Sequence, residues 1–258
     1  MIPTLFASRL RARHLLAWLL PALLLGALAV FLYTEAPLAQ VRALQGELPE
    51  LFTVLGFYGD SSLPLFLLSY LYGLILPLLS TLLAIHLAAR LITRPLLDGR
   101  MAMLLSASHS RGAVLLSLWW VMALYHLLLA LAALTGQVLM ALLLFPEANL
   151  LALLRLSGGF LAVSLVCPAL TLLLACASPD ERALRRRGGL LLYGMLALGL
   201  VARLPGWTRW LRFASFWSLF EGTRLIFNGA SWQLPLLALA LTLVLILFAL
   251  LSFRGREV

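Results

Sequence analysis

Six apolar runs, each able or nearly able to cross a bilayer, leave few folds open to this chain: Leu15 to Tyr33, Leu63 to Ile92, Ala113 to Phe145, Leu150 to Ala177, Gly189 to Leu204 and Leu234 to Phe253. A helix needs about 20 residues to span the hydrocarbon. In lipid each backbone polar group must be satisfied inside the protein, so runs of this length predict helices. The expectation is one all-α integral membrane domain over residues 1–258 with six transmembrane helices. The second and third runs are long enough to tilt or to extend beyond the bilayer. The first follows a basic arm, as a signal peptide does, but has the length of a span. Its small triplet Ala27-Leu28-Ala29 falls inside the apolar run, so it reads as an uncleaved first helix.

Composition removes several functions. The chain is 63% hydrophobic and 11% charged, whereas soluble domains run near half and a quarter. All 19 basic residues are Arg, and there is no Lys. A P-loop requires a Lys that reaches the β- and γ-phosphates, and Schiff-base chemistry requires a Lys amine. Neither is possible here, so any nucleotide that drives this protein binds another chain. The net charge of +9 does not point to nucleic acid, because the Arg residues flank apolar runs rather than forming a basic face. They read as topology determinants at lipid headgroups.

Their placement predicts orientation. Arg9, Arg11 and Arg13 precede the first run; Arg90, Arg94, Arg100 and Arg111 lie around the second connection; Arg182, Arg185, Arg186 and Arg187 lie in the fourth; Arg254 and Arg256 end the chain. That places 13 of the 19 on one side, which should be the cytoplasm, with both termini inside. The other side receives Glu35, Glu47, Glu50, Asp60 and the Pro146-Glu147 turn. Arg203, Arg209, Arg212 and Arg224 break the pattern. Helical spacing puts Trp207, Trp210, Leu211 and Trp217 on one arc and Arg209 and Arg212 on the other, which predicts an outer interfacial or re-entrant helix before the last span.

Between the second and third runs, Pro95 should interrupt the helix, and Leu97, Met101, Leu104 and Leu105 then recur at helical spacing. This predicts a short amphipathic helix outside the bilayer core. The segment resembles the permease subunits of type-2 ATP-binding-cassette (ABC) transporters. These carry an acidic residue and Gly, a Thr-Leu-Glu-Leu-Leu-Leu-like run, Pro-x-Ser-Arg and an apolar third span. Asp98, Gly99, Leu104, Leu105, Ser110 and Arg111 stand at matching positions, while Arg100, Ala102, Ser108 and Leu118 depart from the usual Thr, Glu, Pro and Lys. Residues 216–229, Phe-Trp-Ser-Leu-Phe-Glu-Gly-Thr-Arg-Leu-Ile-Phe-Asn-Gly, are similar to the family's segment before its last span.

The resemblance implies an exporter permease in a bacterial cytoplasmic membrane, paired with a second copy or a homologous permease. A separate ABC ATPase subunit would bind ATP and Mg. It further implies that Leu97, Asp98, Gly99, Arg100, Met101, Leu104, Leu105, Ser110 and Arg111 form a coupling helix touching that subunit. An interfacial helix that only anchors the loop to lipid is the alternative.

The runs themselves carry little chemistry. All ten acids lie in connections or at run edges, which weighs against an ion-coupled carrier with midplane carboxylates. No catalytic, cofactor-binding or metal-binding set is expected. His86 and His126 read as side chains bonded to a neighbouring helix, and Ser157-Gly158-Gly159 as small residues at a helix contact. Cys167 and Cys176, nine residues apart, point to opposite faces of a helix and cannot pair. Gln137 and Arg155 could line a path, Arg155 alternatively snorkelling to headgroups. Pro77 and Pro168 should kink their helices. A six-span membrane enzyme, with His86, His126 and Ser157 around one cavity, and a membrane assembly factor remain as rival readings.

Overall fold

A computed structural model describes residues 12–47, 62–99, 110–203, 207–227 and 232–254. All regular structure among them is helical: α1 (Ala12–Phe31), α2 (Glu35–Glu47), α3 (Leu63–Leu97), α4 (Arg111–Leu144), α5 (Leu150–Ala177), α6 (Glu181–Val201), α7 (Gly222–Phe227) and α8 (Gln233–Arg254), with 3₁₀ turns at Trp207–Ala214 and Phe216–Leu219. Four of these helices, α3, α4, α5 and α8, are long and apolar enough to cross a membrane. The apolar part of α1, Leu15–Phe31, is shorter. The run expected at 189–204 belongs to a helix that starts at Glu181 on a charged first turn and leaves α-geometry after Val201.

Polar caps set the helix starts. The Asn149 side chain accepts the Ala152 N–H at 3.1 Å, Ser110 accepts from Ala113 at 3.2 Å, and Asp180 accepts from Ala183 at 2.6 Å. Each satisfies a backbone donor that the first turn leaves without an intrahelical partner.

The interior is built on α3 and α5, which are mostly buried, whereas α4 and α8 turn large parts of their surface outward. Leu16, Leu20, Leu24, Leu28 and Phe31 form an exposed stripe along α1, and Leu236, Leu243, Leu247 and Leu251 do so on α8. Apolar outer faces of this kind are stable against acyl chains, not against water.

Small residues bring α1 and α4 close together. A Cβ added at Gly26 would run into the Ala133 carbonyl, and one at Gly136 into the backbone of Leu23 and Ala27. Ala22, Ala29 and Ala130 extend the contact, all buried. Between helices that lipid solvates as well as protein does, such backbone proximity supplies the dispersion energy of association. At one end of this pair Tyr33 meets Phe66 of α3 and Phe145, with ring centroids 5.4 Å apart in both contacts.

Proline acts differently from expectation in α3. Pro95 does not end the helix; the chain continues to Leu97 and stops at Asp98 and Gly99, where Gly99 adopts φ +68°. Pro64 sits in the first turn of α3, where no N–H is needed, and the two interior prolines each follow a π-turn, Leu71–Ile75 before Pro77 and Ala89–Thr93 before Pro95. Proline lacks an N–H and its ring crowds the carbonyl four residues back. A widened turn moves that carbonyl aside, so the helix survives. In α5, where Pro168 was expected to kink the helix, α-geometry lapses at Leu165, three residues before the proline. Cys167 and Cys176 are separate buried thiols.

Candidate functional site

The π-turn that accommodates Pro77 carries Tyr72, and Tyr72 is the hub of a buried polar cluster. Its hydroxyl lies 2.5 Å from Ser157 Oγ on α5, and 3.2 and 3.1 Å from Gln137 Oε1 and Nε2 on α4. Gln137 is wholly buried, and Tyr72 and Ser157 nearly so. Tyr72 sits nine residues into α3, Ser157 seven into α5, and Gln137 seven before the end of α4. At about 1.5 Å of rise per residue, all three lie about 10–14 Å from the same end of the bundle. One cluster therefore ties three helices together at one level.

Aromatic rings enclose the cluster. Phe160 of α5 packs edge-on to Tyr72 at 5.8 Å. The segment before α8 supplies the rest: Phe220 lies 5.9 Å from Tyr72 and 6.3 Å from Phe160, and Trp217 stacks on Phe160 at 6.2 Å. A Cβ on Gly159 would strike Leu225, and one on Gly222 would strike Leu68 and Leu156. Those glycines let residues 215–227 enter between α3 and α5 as far as Tyr72.

The expected single arc of Trp207, Trp210, Leu211 and Trp217 is not what forms. Trp210 and Phe213 point outward, whereas Phe216 and Trp217 are buried. A 3₁₀ turn repeats every three residues rather than 3.6, and extended backbone at Ser215 (φ −121°, ψ 122°) separates the two turns and re-aims Trp217. Two of the four Arg residues that broke the charge pattern have local partners: Arg212 lies 4.9 Å from the Phe213 ring centroid, and Arg224 pairs with Glu221. The side chains of Trp207 and Arg209 lie outside the described residues.

A second polar level lies roughly 15 Å further along the bundle, taking the same rise. His126 Nδ1 is 2.8 Å from the Met122 carbonyl on its own helix, and Nε2 is 3.2 Å from the Ser80 carbonyl on α3. This is the bond to a neighbouring helix expected from sequence. A neutral ring carries one N–H, so it donates to one of these carbonyls at a time. His86 packs against Trp18, with ring centroids 5.8 Å apart. His86, His126 and Ser157 thus have three separate sets of neighbours, and among the described residues no three His, Cys, Asp or Glu side chains gather as metal ligands would.

At the Arg-rich end, Glu181 of α6 is clamped by two guanidinium groups. Arg94 of α3 reaches it with Nε at 2.7 Å and Nη2 at 3.0 Å, and Arg185 adds Nη2 at 2.7 Å. Hydrogen bonds from Arg94, reinforced by Arg185, pull the Glu181 carboxyl down to about 2. The pair joins the end of α3 to the start of α6, so the second and fourth connections share one end of the molecule. Beside it a groove of about 450 Å³ is lined by Leu97, Asp180, Glu181, Arg182 and Arg185.

The residues of the expected coupling helix divide. Leu97 is exposed as the last residue of α3, with Asp98 and Gly99 exposed in the turn that follows. Ser110 is the exposed N-cap of α4 and Arg111 its half-buried first residue. Arg100, Met101, Leu104 and Leu105 lie outside the described residues. Of the two path candidates, Gln137 is in the Tyr72 cluster, and Arg155 is half-exposed on the outer wall of α5, beside a groove that Ser157 also lines. Tyr72 itself drew no attention in the sequence. Its available signal was a phenol five residues before a proline inside an apolar run, Tyr72-Gly-Leu-Ile-Leu-Pro77.

Fold and polar interior define the class: a multi-pass, all-helical membrane protein whose central helices share buried hydrogen bonds around Tyr72 and His126. No protein-family model matches the chain, and no curated protein matches it in sequence.

Proposed function

We propose that the chain is the membrane-spanning permease subunit of an ABC transporter of the type-2 class, exporting its substrate with ATP hydrolysed on a separate subunit. In this reading α1 and α6 join the four long helices to make six spans, both termini face the cytoplasm of a bacterial inner membrane, and two permease chains pair around the path. The observation that carries the proposal is the ordered likeness of residues 97–111 and 216–229 to that family, in a chain with no Lys to bind a nucleotide.

Two structural features support it. The 100–109 segment is bracketed by the Gly99 turn and the Ser110 cap, so it is inserted between two long helices at fixed points. The Arg94–Glu181 clamp then connects the base of that insertion to α6. A push delivered at residues 97–111 would be passed to α3 and α6 together.

Purification of the tagged chain from its native membrane tests the proposal. It should bring down a P-loop ATPase, and Cys placed at Asp98 or Arg111 should cross-link to it. Failure to recover any ATPase, together with unaltered export in the Asp98→Ala and Arg111→Ala variants, would reject the reading.

A further inference from the structure

An apolar groove of about 490 Å³ runs along the outer surface of α4 and α5. Leu127, Leu131 and Leu134 form one wall and Leu151 and Leu154 the other, with the Trp232 ring over Gly158 at the far side. Leu131, Leu151 and Leu154 are exposed, so in a membrane the groove opens to lipid. Its volume falls within the roughly 300–1,000 Å³ typical of small-ligand sites.

Arg155 stands in this apolar wall, five residues into α5 and so about 8 Å from its start. Arg94, Arg185 and Arg224 all pair with Glu residues. Among the described residues, no carboxylate lines the groove around Arg155. A cation at this depth in lipid needs an anion, and the bilayer supplies one at the headgroup level, joined to an acyl chain that an apolar groove accepts.

We infer that this groove binds one anionic phospholipid from the leaflet that faces the 145–149 connection, with the phosphate on Arg155 and one acyl chain between α4 and α5. Arg suits the role because its fork of donors matches phosphate oxygens. Ser157 lines the same groove and bonds Tyr72, so the bound chain would lie one side chain away from the central cluster.

Native mass spectrometry of the detergent-purified full chain, titrated with phosphatidylglycerol or phosphatidylcholine, tests the inference without any ATPase. One phosphatidylglycerol should be retained in preference to phosphatidylcholine. Arg155→Gln should weaken that binding about tenfold, the loss of one charge-assisted contact. Arg155→Lys should restore most of it, and Leu154→Trp, filling the exposed wall, should lower affinity for both lipids. Equal retention of the two lipids, an unchanged Arg155→Gln variant, or competition by inorganic phosphate at the lipid's own concentration would overturn it. Cross-linking of Leu131→Cys to Leu154→Cys between two chains would overturn it too, since a second copy would then cover the groove.

Discussion

Removing the Tyr72 hydroxyl leaves the wholly buried Gln137 amide and the Ser157 hydroxyl without the partner they share. Tyr72→Phe should therefore lower stability by about 1–2 kcal/mol, the scale of a buried hydrogen bond lost with one partner left behind. Gln137→Leu in the same chain should cost less than the sum of the two single changes, because no amide then remains to be desolvated. Thermal unfolding in detergent of the two single variants and the double reads this coupling. Additive losses would show that the hydroxyl and amide do not act as a pair. Gly99 makes a similar point through the backbone: φ +68° is costly for any side chain, so Gly99→Ala should strain the turn by about 1 kcal/mol even though open space surrounds it.

Among elements, the α1–α4 contact depends on the absence of two side chains. Gly136→Ala places a Cβ against the backbone of Leu23 and Ala27, atoms that cannot turn aside, so the helices must separate and about 2 kcal/mol or more of packing is lost. Gly194→Ala is the internal control. No atom outside its own turn lies within 4 Å of that position, and Ala is the better helix former, so its melting temperature should be unchanged or higher. Equal losses at the two sites would remove the close-approach argument. The apolar runs made α4, α5 and α8 legible to within a few residues, because length and hydropathy alone require a helix in lipid. The end of α3 was not legible: Pro95 looks like a terminator, and only the π-turn before it carries the chain past it. The same holds for residues 207–227, where a uniform helical period places Trp210 and Trp217 together and a break at Ser215 separates them.

For the whole molecule, Glu181 connects two connections that are 87 residues apart in sequence. Its folded-state value of about 2 lies below the ordinary 4.5, so the clamp's contribution is fully present above about pH 4.5 and is lost as pH falls toward 2. The partners are well exposed, with Arg94 and Arg185 side chains at 56% and 50%, so solvent screening holds the contribution to about 1 kcal/mol or less. The melting temperature of Glu181→Gln should lie slightly below that of the parent at pH 5–7, and the two should converge toward pH 2. A gap that persists at pH 2 would mean that Glu181 acts by packing rather than by charge. High salt should narrow the gap at neutral pH, as it does for exposed pairs.

From its sequence alone this chain must be helical and membrane-embedded, keeps most of its Arg residues outside the apolar runs or near their ends, and cannot bind nucleotide through a Lys. These follow from how lipid treats backbone, charge and apolar length, none of which depends on neighbours in space. Only the tertiary structure brought Tyr72, Gln137 and Ser157 to one point, set Arg94 on Glu181, and placed Arg155 in the wall of an apolar groove. Those outcomes depend on helix rotation and depth, which are decided by where glycines permit close approach and where prolines widen a turn.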